Sequence, residues 1–261
     1  MHNVFRHSEK IESELKNKGG VLMLDFDGTL VDLEERHDMP RLGEKMQNAL
    51  RQLARTYPLV VISGRSLTDV KKRIGVRGIA YAGCHGLEWQ TKTTRYAAPM
   101  PDNTKVAFLH AKKQLRLLAK KSKAIVEDKK YSFALHYRTL SAAGRRVFVQ
   151  EAKKIIADTD KKRRLLRVIN DQYTFDVMPS VAVSKGTCAK ILFDKLKPSH
   201  RAVPIYIGDS QTDEDAFKAF SRGITIRVGK KAVSAAAYYV SDRADVDSFL
   251  LRLAQKSSTR P

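Results

Sequence analysis

The chain has 261 residues, 43% hydrophobic and 30% charged, with 49 Lys plus Arg against 28 Asp plus Glu and a formal net charge of +21. That apolar share supports a packed core in one large or two moderate domains and excludes a disordered chain, and no apolar run approaches the roughly 20 residues a membrane helix needs. Two cysteines, Cys84 and Cys188, exclude a disulfide framework and are expected to be buried free thiols; residues 1–20 lack an apolar signal core, so the cytoplasm is the expected compartment.

Residues 8–18 predict a short polar helix closed by Gly19-Gly20. The apolar run 21–24 then predicts a buried strand of a parallel sheet. Asp25 and Asp27 stand where that strand ends, followed by Gly28 and Thr29. In open α/β sheets ligands bind at the carboxyl ends of the strands, so two acids fall where a site is expected. They can share one face of the extended chain, while Gly28 permits a tight turn. One carboxylate can attack phosphorus and the other can move a proton, with a hard cation such as Mg²⁺ between them. Residues 40–55 predict a helix with Leu42, Met46, Ala49, Leu50 and Leu53 on one stripe. A second apolar run, 59–62, completes a βαβ unit and ends in Ser63-Gly64-Arg65. The Ser63 hydroxyl can donate to phosphoryl oxygens there, and Gly64 permits close approach. A helix over 67–76 and a strand over 78–82 lead to Gly83-Cys84-His85-Gly86-Leu87-Glu88. Glycines on both sides of His85 predict a tight, exposed loop beside the site.

From Trp89 the pattern changes. A strand is expected over 90–97, then a helix over 103–122 carrying Val106, Leu109, Leu115 and Leu118. Strands over 124–129 and 131–138, a helix over 141–160 and a hairpin over 165–178, turning near Asn170-Asp171, follow. Helices between antiparallel strands predict an α+β insertion. The division is therefore residues 1–88 and 181–261 for the core and 89–180 for the inserted cap. Residues 89–180 hold 21 basic and 8 acidic side chains, a balance of +13, so most of the charge excess lies there. The basic runs lie on helix faces and ends without the interleaved aromatics of a stacking platform, so a solvated surface is expected and nucleic acid is not. In 131–138, Tyr131, Phe133, Leu135 and Tyr137 point one way and Ser132, His136 and Arg138 the other. If the apolar side packs on the helices, the opposite face carries Glu127, Lys129, His136, Arg138 and Asp176. A polar face of both charge signs suits the hydroxyls of a sugar.

After Pro179 the core resumes. Ser184-Lys185-Gly186 opens a helix over 186–197, where a lysine can neutralise a phosphoryl group and a carboxylate. A strand over 203–207 ends in Gly208-Asp209-Ser210-Gln211-Thr212-Asp213-Glu214, a second carboxylate cluster at a strand end. A helix over 216–220, a last strand over 223–228, a helix over 245–254 and a frayed tail complete the chain.

Taken in order, the Asp25-x-Asp27-Gly-Thr, Ser63-Gly64-Arg65, Ser184-Lys185-Gly186 and Gly208–Glu214 segments resemble the four motifs of the haloacid dehalogenase superfamily. The resemblance covers about residues 20–250. It implies an α/β fold: a Rossmann-like parallel-sheet hydrolase core (HAD-like) with an inserted α+β cap domain of the C2 type. Within the superfamily, Gly83-x-His85-Gly86, Gly-Asp-x-x-Thr-Asp-Glu-Asp-Ala-Phe and Glu127-x-Lys129 followed by His136-Tyr137-Arg138 resemble the trehalose-6-phosphate phosphatase family. That implies Asp25 as the nucleophile forming an aspartyl-phosphate, and Asp27 as the acid that protonates the leaving sugar oxygen and then activates water. Ser63 and Lys185 would stabilise the transferring group. Mg²⁺ would be held by Asp25, the Asp27 backbone carbonyl and Asp209, with Asp213 next. Glu127, Lys129 and Asp176 would grip the sugar, and Gly64, Arg65, His85, Gly86, His136 and Arg138 complete the expected substrate-binding set.

The chain departs from the family pattern twice. Asp176-Val-Met-Pro stands where Glu-Val-Arg-Pro is usual, and Ser210 stands where a second aspartate is usual. Sucrose phosphate, a glycosyl-phosphoglycerate or a hexose phosphate is therefore the alternative substrate. A nucleic-acid-binding protein on a phosphatase scaffold, motivated by the charge alone, is the second alternative. The expected partner is a small sugar phosphate, with no membrane and a monomeric chain.

Overall fold

A computed structural model describes residues 1–33, 41–162, 164–171 and 173–257. It divides into two compact units, Met1–Ala97 with Val183–Pro261, and Ala98–Ala182. In chain order the first unit runs β1 (His2–Asn3), α1 (Ser8–Lys18), β2 (Gly20–Leu24), α2 (Glu44–Thr56), β3 (Leu59–Ile62), α3 (Leu67–Ile74), β4 (Ala80–Gly83), β5 (Glu88–Gln90) and β6 (Arg95–Ala97). The second unit follows with α4 (Asp102–Ser122), β7 (Ile125–Asp128), β8 (Phe133–His136), α5 (Ala142–Thr159), β9 (Leu166–Asp171) and β10 (Thr174–Pro179). The chain then returns through α6 (Lys185–Leu196), β11 (Val203–Gly208), α7 (Glu214–Ala219), β12 (Ile224–Val228), β13 (Tyr238–Val240) and α8 (Arg243–Ser257). Among the described residues no helix is long and apolar enough to cross a membrane.

The first unit is built on a sheet of order β1-β13-β12-β11-β2-β3-β4-β5-β6. Every pairing from β1 to β4 is parallel, and only β5 is reversed, pairing antiparallel with β4 and with β6. Both faces of β2 are covered, as parallel sheets require. Leu22 and Leu24 belong to one apolar cluster with Ile11, Leu15, Met46, Leu50, Leu53 and Leu250. Val21 and Met23 belong to a second, with Val60, Ile62, Cys188, Leu192 and Phe217. That two-residue alternation makes three layers: helices, sheet, helices. Strand β2 lies between β11 and β3, so chain order reverses at its end. This is the switch point at which α/β proteins place their ligands.

The hairpin β5–β6 pairs with β4 in this sheet, so the unit boundary falls after Ala97, not before Trp89 as the sequence suggested. Trp89 explains the difference: it is buried in the second core cluster and stacks on Tyr96 at 5.1 Å. The expected single strand over 90–97 is also broken by a turn in which Thr91 Oγ1 accepts from Thr93 and Thr94. Strand β12 is not the last one; β13 follows and pairs with both β12 and β1. The proposed helix start at Pro40 lies outside the described residues.

The second unit is an antiparallel sheet, β7-β8-β10-β9, with two helices on one face. Phe133, Leu135, Phe175 and Val177 point into a core with Phe108, Leu115, Leu118, Phe148 and Ala152. Helix α4 buries Thr104, Ala107, Phe108, Ala111, Leu115, Leu118 and Ala119. Val106 and Leu109, expected on that stripe, are 68% and 52% exposed, because the three-and-four spacing that runs through Phe108 and Ala111 excludes them. Phe148 is buried on α5 and packs 5.4 Å from the Tyr137 ring. Phe148→Ala should therefore cost about 3–5 kcal/mol, read as a lowered urea midpoint for the second unit.

Candidate active site

Three strand ends and one helix start converge at the switch point. Asp25 follows β2, and its amide donates to the Ile207 carbonyl of β11 at 2.9 Å, extending the ladder by one residue. The chain then turns: Leu30 and Val31 amides return to Phe26, and Gly28 donates to Val31 at 2.8 Å. Gly28 has φ +76°, and a Cβ there would stand 2.2 Å from Asp209 Oδ2. Only glycine can make this turn and leave room for the acid that follows β11.

Lys185 opens α6. The Ser184 hydroxyl accepts from the Thr187 amide while Thr187 Oγ1 accepts from the Ser184 amide, a reciprocal cap that fixes the helix start. Lys185 Nζ then lies 2.9 Å from Asp25 Oδ1 and 2.9 Å from Asp213 Oδ1, with all three side chains buried. Asp213 also accepts from Tyr206 at 2.7 Å and from the Ser210 amide and hydroxyl at 2.9 and 2.6 Å. Thus Ser210, where the family pattern has an acid, works as a donor to its neighbour.

The charges do not balance. Asp25, Asp209 and Asp213 each offer an oxygen within 4.8 Å of the others, against the single ammonium of Lys185. Burial and the Asp213 charge push the Asp25 carboxyl well above its ordinary range, against the pull of Lys185. Burial and Asp213 likewise push Asp209 up to about 6. Burial alone would raise Asp213 too, but Lys185, Ser210 and Tyr206 outweigh it and hold that acid below the usual value. Burial would lower Lys185, and Asp213 and Asp25 reverse this and raise it. A divalent cation would correct the surplus of negative charge. The set fits one: the donors are hard oxygens, and Asp209 Oδ1 is buried with no hydrogen-bond partner among the described residues.

Asp27 is held separately. Arg65 Nε lies 3.0 and 2.8 Å from its two oxygens, Nη2 lies 2.6 Å from Oδ1, and Nη1 reaches Asp69 at 3.1 Å. Arg65, expected on the substrate, is buried and clasps Asp27. Ser63 is fully buried and its hydroxyl accepts from the Arg65 amide at 3.1 Å. The His85 loop is buried and not exposed: His85 N donates to Ser63 O and Cys84 N to Arg65 O. Its ring presses on Gly64, where a Cβ would stand 2.8 Å from the imidazole, and Gly86 abuts Cys188. Missing side chains at Gly64 and Gly86 thus let the His85 ring and helix α6 pack close against this segment.

In the second unit, one polar network joins Glu127, Lys129, His136 and Asp176. Lys129 Nζ lies 2.7 Å from Asp176 Oδ2 and 3.9 Å from Glu127 Oε2. His136 lies 3.1 Å from Glu127 and 3.2 Å from Thr174 Oγ1. Arg138, beyond the end of β8, lies over the Tyr173 ring at 5.8 Å. Sequence reading gave no role to Tyr206 and Arg227 of the first unit, and counted Glu214 in the carboxylate cluster after β11 without a separate role. A tyrosine and an arginine inside apolar strand runs were the available signals, since buried polar groups need partners.

The family model for trehalose-phosphatase matches residues 23–248. Trehalose-phosphate phosphatase of Mycobacterium tuberculosis (strain ATCC 25177 / H37Ra) is 35% identical over 254 residues, 92% of this chain and 62% of that protein. Probable trehalose-phosphate phosphatase D of Arabidopsis thaliana is 29% identical over 264 residues, 95% of this chain and 70% of that one. The C-terminal domain of Candida albicans trehalose-6-phosphate phosphatase has a TM-score of 0.78 at 19% identity, covering 95% of this chain and 96% of that one. A haloacid dehalogenase-like hydrolase from Bacteroides thetaiotaomicron has a TM-score of 0.62 at 13% identity, covering 88% and 98%. At such identities the two structures speak to fold, and the fold is HAD-like.

Tyr206 is buried with its hydroxyl on an acid that Lys185 also holds. Tyr206→Phe should cost about 1.5–3 kcal/mol, the range for a hydrogen bond to a charged group, measured by urea denaturation. An unchanged midpoint would mean that Lys185 and Ser210 suffice to hold Asp213.

Proposed function

The chain belongs to the trehalose-phosphatase family, and we propose from that premise that it is a Mg²⁺-dependent hydrolase turning trehalose 6-phosphate and water into trehalose and inorganic phosphate. One observation carries the reading: Lys185 bridges Asp25 and Asp213 at the end of β2, beside Asp209, with Asp27 oriented separately by Arg65.

An Asp25 oxygen attacks phosphorus, the bond from phosphorus to the sugar oxygen breaks, and Asp27 gives its proton to that oxygen. Asp27, now ionised, takes a proton from water, and the water oxygen attacks the phosphorus of the acyl phosphate. The bond to Asp25 breaks and phosphate leaves. Lys185 and Ser63 offset charge on the phosphoryl oxygens, where positioning and neutralisation supply most of the rate. Arg65 holds both oxygens of Asp27, and protonation of Asp27 loosens this pair and frees an oxygen to face the leaving group. The His85 ring, against Gly64, is a further donor. A bound Mg²⁺, held by Asp25, Asp209 and the Asp27 carbonyl with Asp213 next, would supply the positive charge the acids lack.

On the second unit, Glu127, Lys129 and Asp176 read the sugar hydroxyls, with His136 on β8 and Arg138 just beyond that strand. The buried free thiols of Cys84 and Cys188 suit a reducing compartment, and the cytoplasm is the proposed one.

Phosphate release from a panel of trehalose 6-phosphate, sucrose 6-phosphate, glucosyl-3-phosphoglycerate and glucose 6-phosphate tests the substrate. The expected outcome is a strong preference for trehalose 6-phosphate, lost in Asp25→Asn and after chelation with EDTA. Even activity across the panel would keep the reaction and discard the disaccharide. Lys129→Met should raise KM for trehalose 6-phosphate by about tenfold or more, the worth of a charged hydrogen bond. Its kcat on p-nitrophenyl phosphate, which has no sugar, should hold.

A further inference from the structure

Arginine is a poor choice for the interior of a buried parallel strand, yet β12 carries Arg227, 7% exposed, directly opposite Gly208 of β11. A buried guanidinium must be paired. Its partners all lie on the segment that follows β11. Nη2 donates to the Asp209 carbonyl, and Nη1 donates to the Ser210 carbonyl at 3.4 Å and to Glu214 Oε1 at 2.8 Å. Glu214, 5% exposed, uses its other oxygen to accept from the Ala235 amide at 2.8 Å. The fork therefore spans the loop from Asp209 to the first residue of α7, and Glu214 ties that helix start to the chain between β12 and β13.

We infer that Arg227 and Glu214 form a positioning pair for the metal site, fixing the backbone at Asp209 so that its carboxylate is presented beside Asp25. The role rests on the metal-assisted reading above. It uses the planar fork of arginine, since two carbonyls and a carboxylate are met at once, and a point charge cannot do this. Neither side chain touches substrate in this role. Groups behind metal ligands commonly set affinity by about ten- to a hundredfold, and Asp209 is held from behind at its own carbonyl.

The test is Mn²⁺ binding to the full chain, followed by electron paramagnetic resonance, for wild type, Arg227→Lys, Glu214→Gln and Asp209→Asn. Arg227→Lys keeps the charge and loses the fork, and should weaken Mn²⁺ binding about tenfold or more. Phosphatase activity lost at low Mn²⁺ should return when the ion is raised to saturation, with KM for the sugar phosphate unchanged. Glu214→Gln should shift Mn²⁺ affinity in the same direction, and carries the test if the lysine variant does not fold. If Asp209→Asn loses Mn²⁺ while both other variants bind like wild type, the pair has no positioning role. If wild type itself binds no Mn²⁺, the metal reading falls and the pair's role with it.

Discussion

One buried ammonium organises the functional end of the sheet. Lys185 Nζ meets Asp25 and Asp213 at 2.9 Å each, tying together the end of β2, the start of α6 and the loop after β11. Burying any of these charges alone would cost several kcal/mol, and breaking one partner out of such a set leaves an uncompensated ion. The three groups therefore depend on each other's company. Because three acids share one ammonium, the cluster divides its roles. Asp213 accepts from Lys185, Tyr206 and Ser210 and is held in its charged form, while Asp25 and Asp209 are left with raised affinity for a proton. Acids pushed apart in this way carry different duties: Asp213 is the anchor, and the other two are poised to take a cation or an electrophile.

Asp27 escapes this crowding because its own strand end turns away at Gly28. The clasp by Arg65 gives it a separate cation, and Asp69 gives that guanidinium a second acceptor. Two carboxylates two residues apart thus enter different electrostatic environments, one buried against like charges and one half-exposed against a guanidinium. An Asp-x-Asp pair can then divide between attack and proton transfer without any difference in side-chain chemistry.

The sequence disclosed most of what depends on local pattern. Apolar runs marked β2, β3 and β11, and the carboxylates that follow β2 and β11 lie together at the sheet's end. What it hid depends on contacts between distant segments. The β5–β6 hairpin reads like the start of the insertion, and only the burial of Trp89 against the core assigns it. Strands β1 and β13 have two and three residues, too short for any periodicity. Glycines on both sides of His85 suggested exposure, whereas they let its loop press against the starts of α3 and α6. Tyr206 and Arg227 interrupt apolar runs; nothing in the runs says which acid or carbonyl will face them.

The polar face of the second unit shows how a departure in residue type can be absorbed by geometry. At the β7–β8 turn, Asp128 and Lys129 are neighbours with opposite destinations. Asp128 points to the helix side, where it meets Lys112 and Arg116 at 2.7 and 2.6 Å, and accepts from the Lys130 amide as the chain turns through φ +72°. Being exposed, those pairs contribute little to stability, but they fix which way the turn rolls. Lys129 is thereby sent to the other face, buried, with its amide on Ser132 and its ammonium 2.7 Å from Asp176. A carboxylate one methylene shorter than the family's usual glutamate still reaches the lysine, because the lysine is brought to it. The shorter acid therefore makes its ion pair with Lys129 from a carboxylate held close to the sheet. Met178, two residues beyond Asp176 and on the same face of β10, stands where the usual pattern has an arginine, so the difference lies both in the depth of the polar face and in one positive charge fewer.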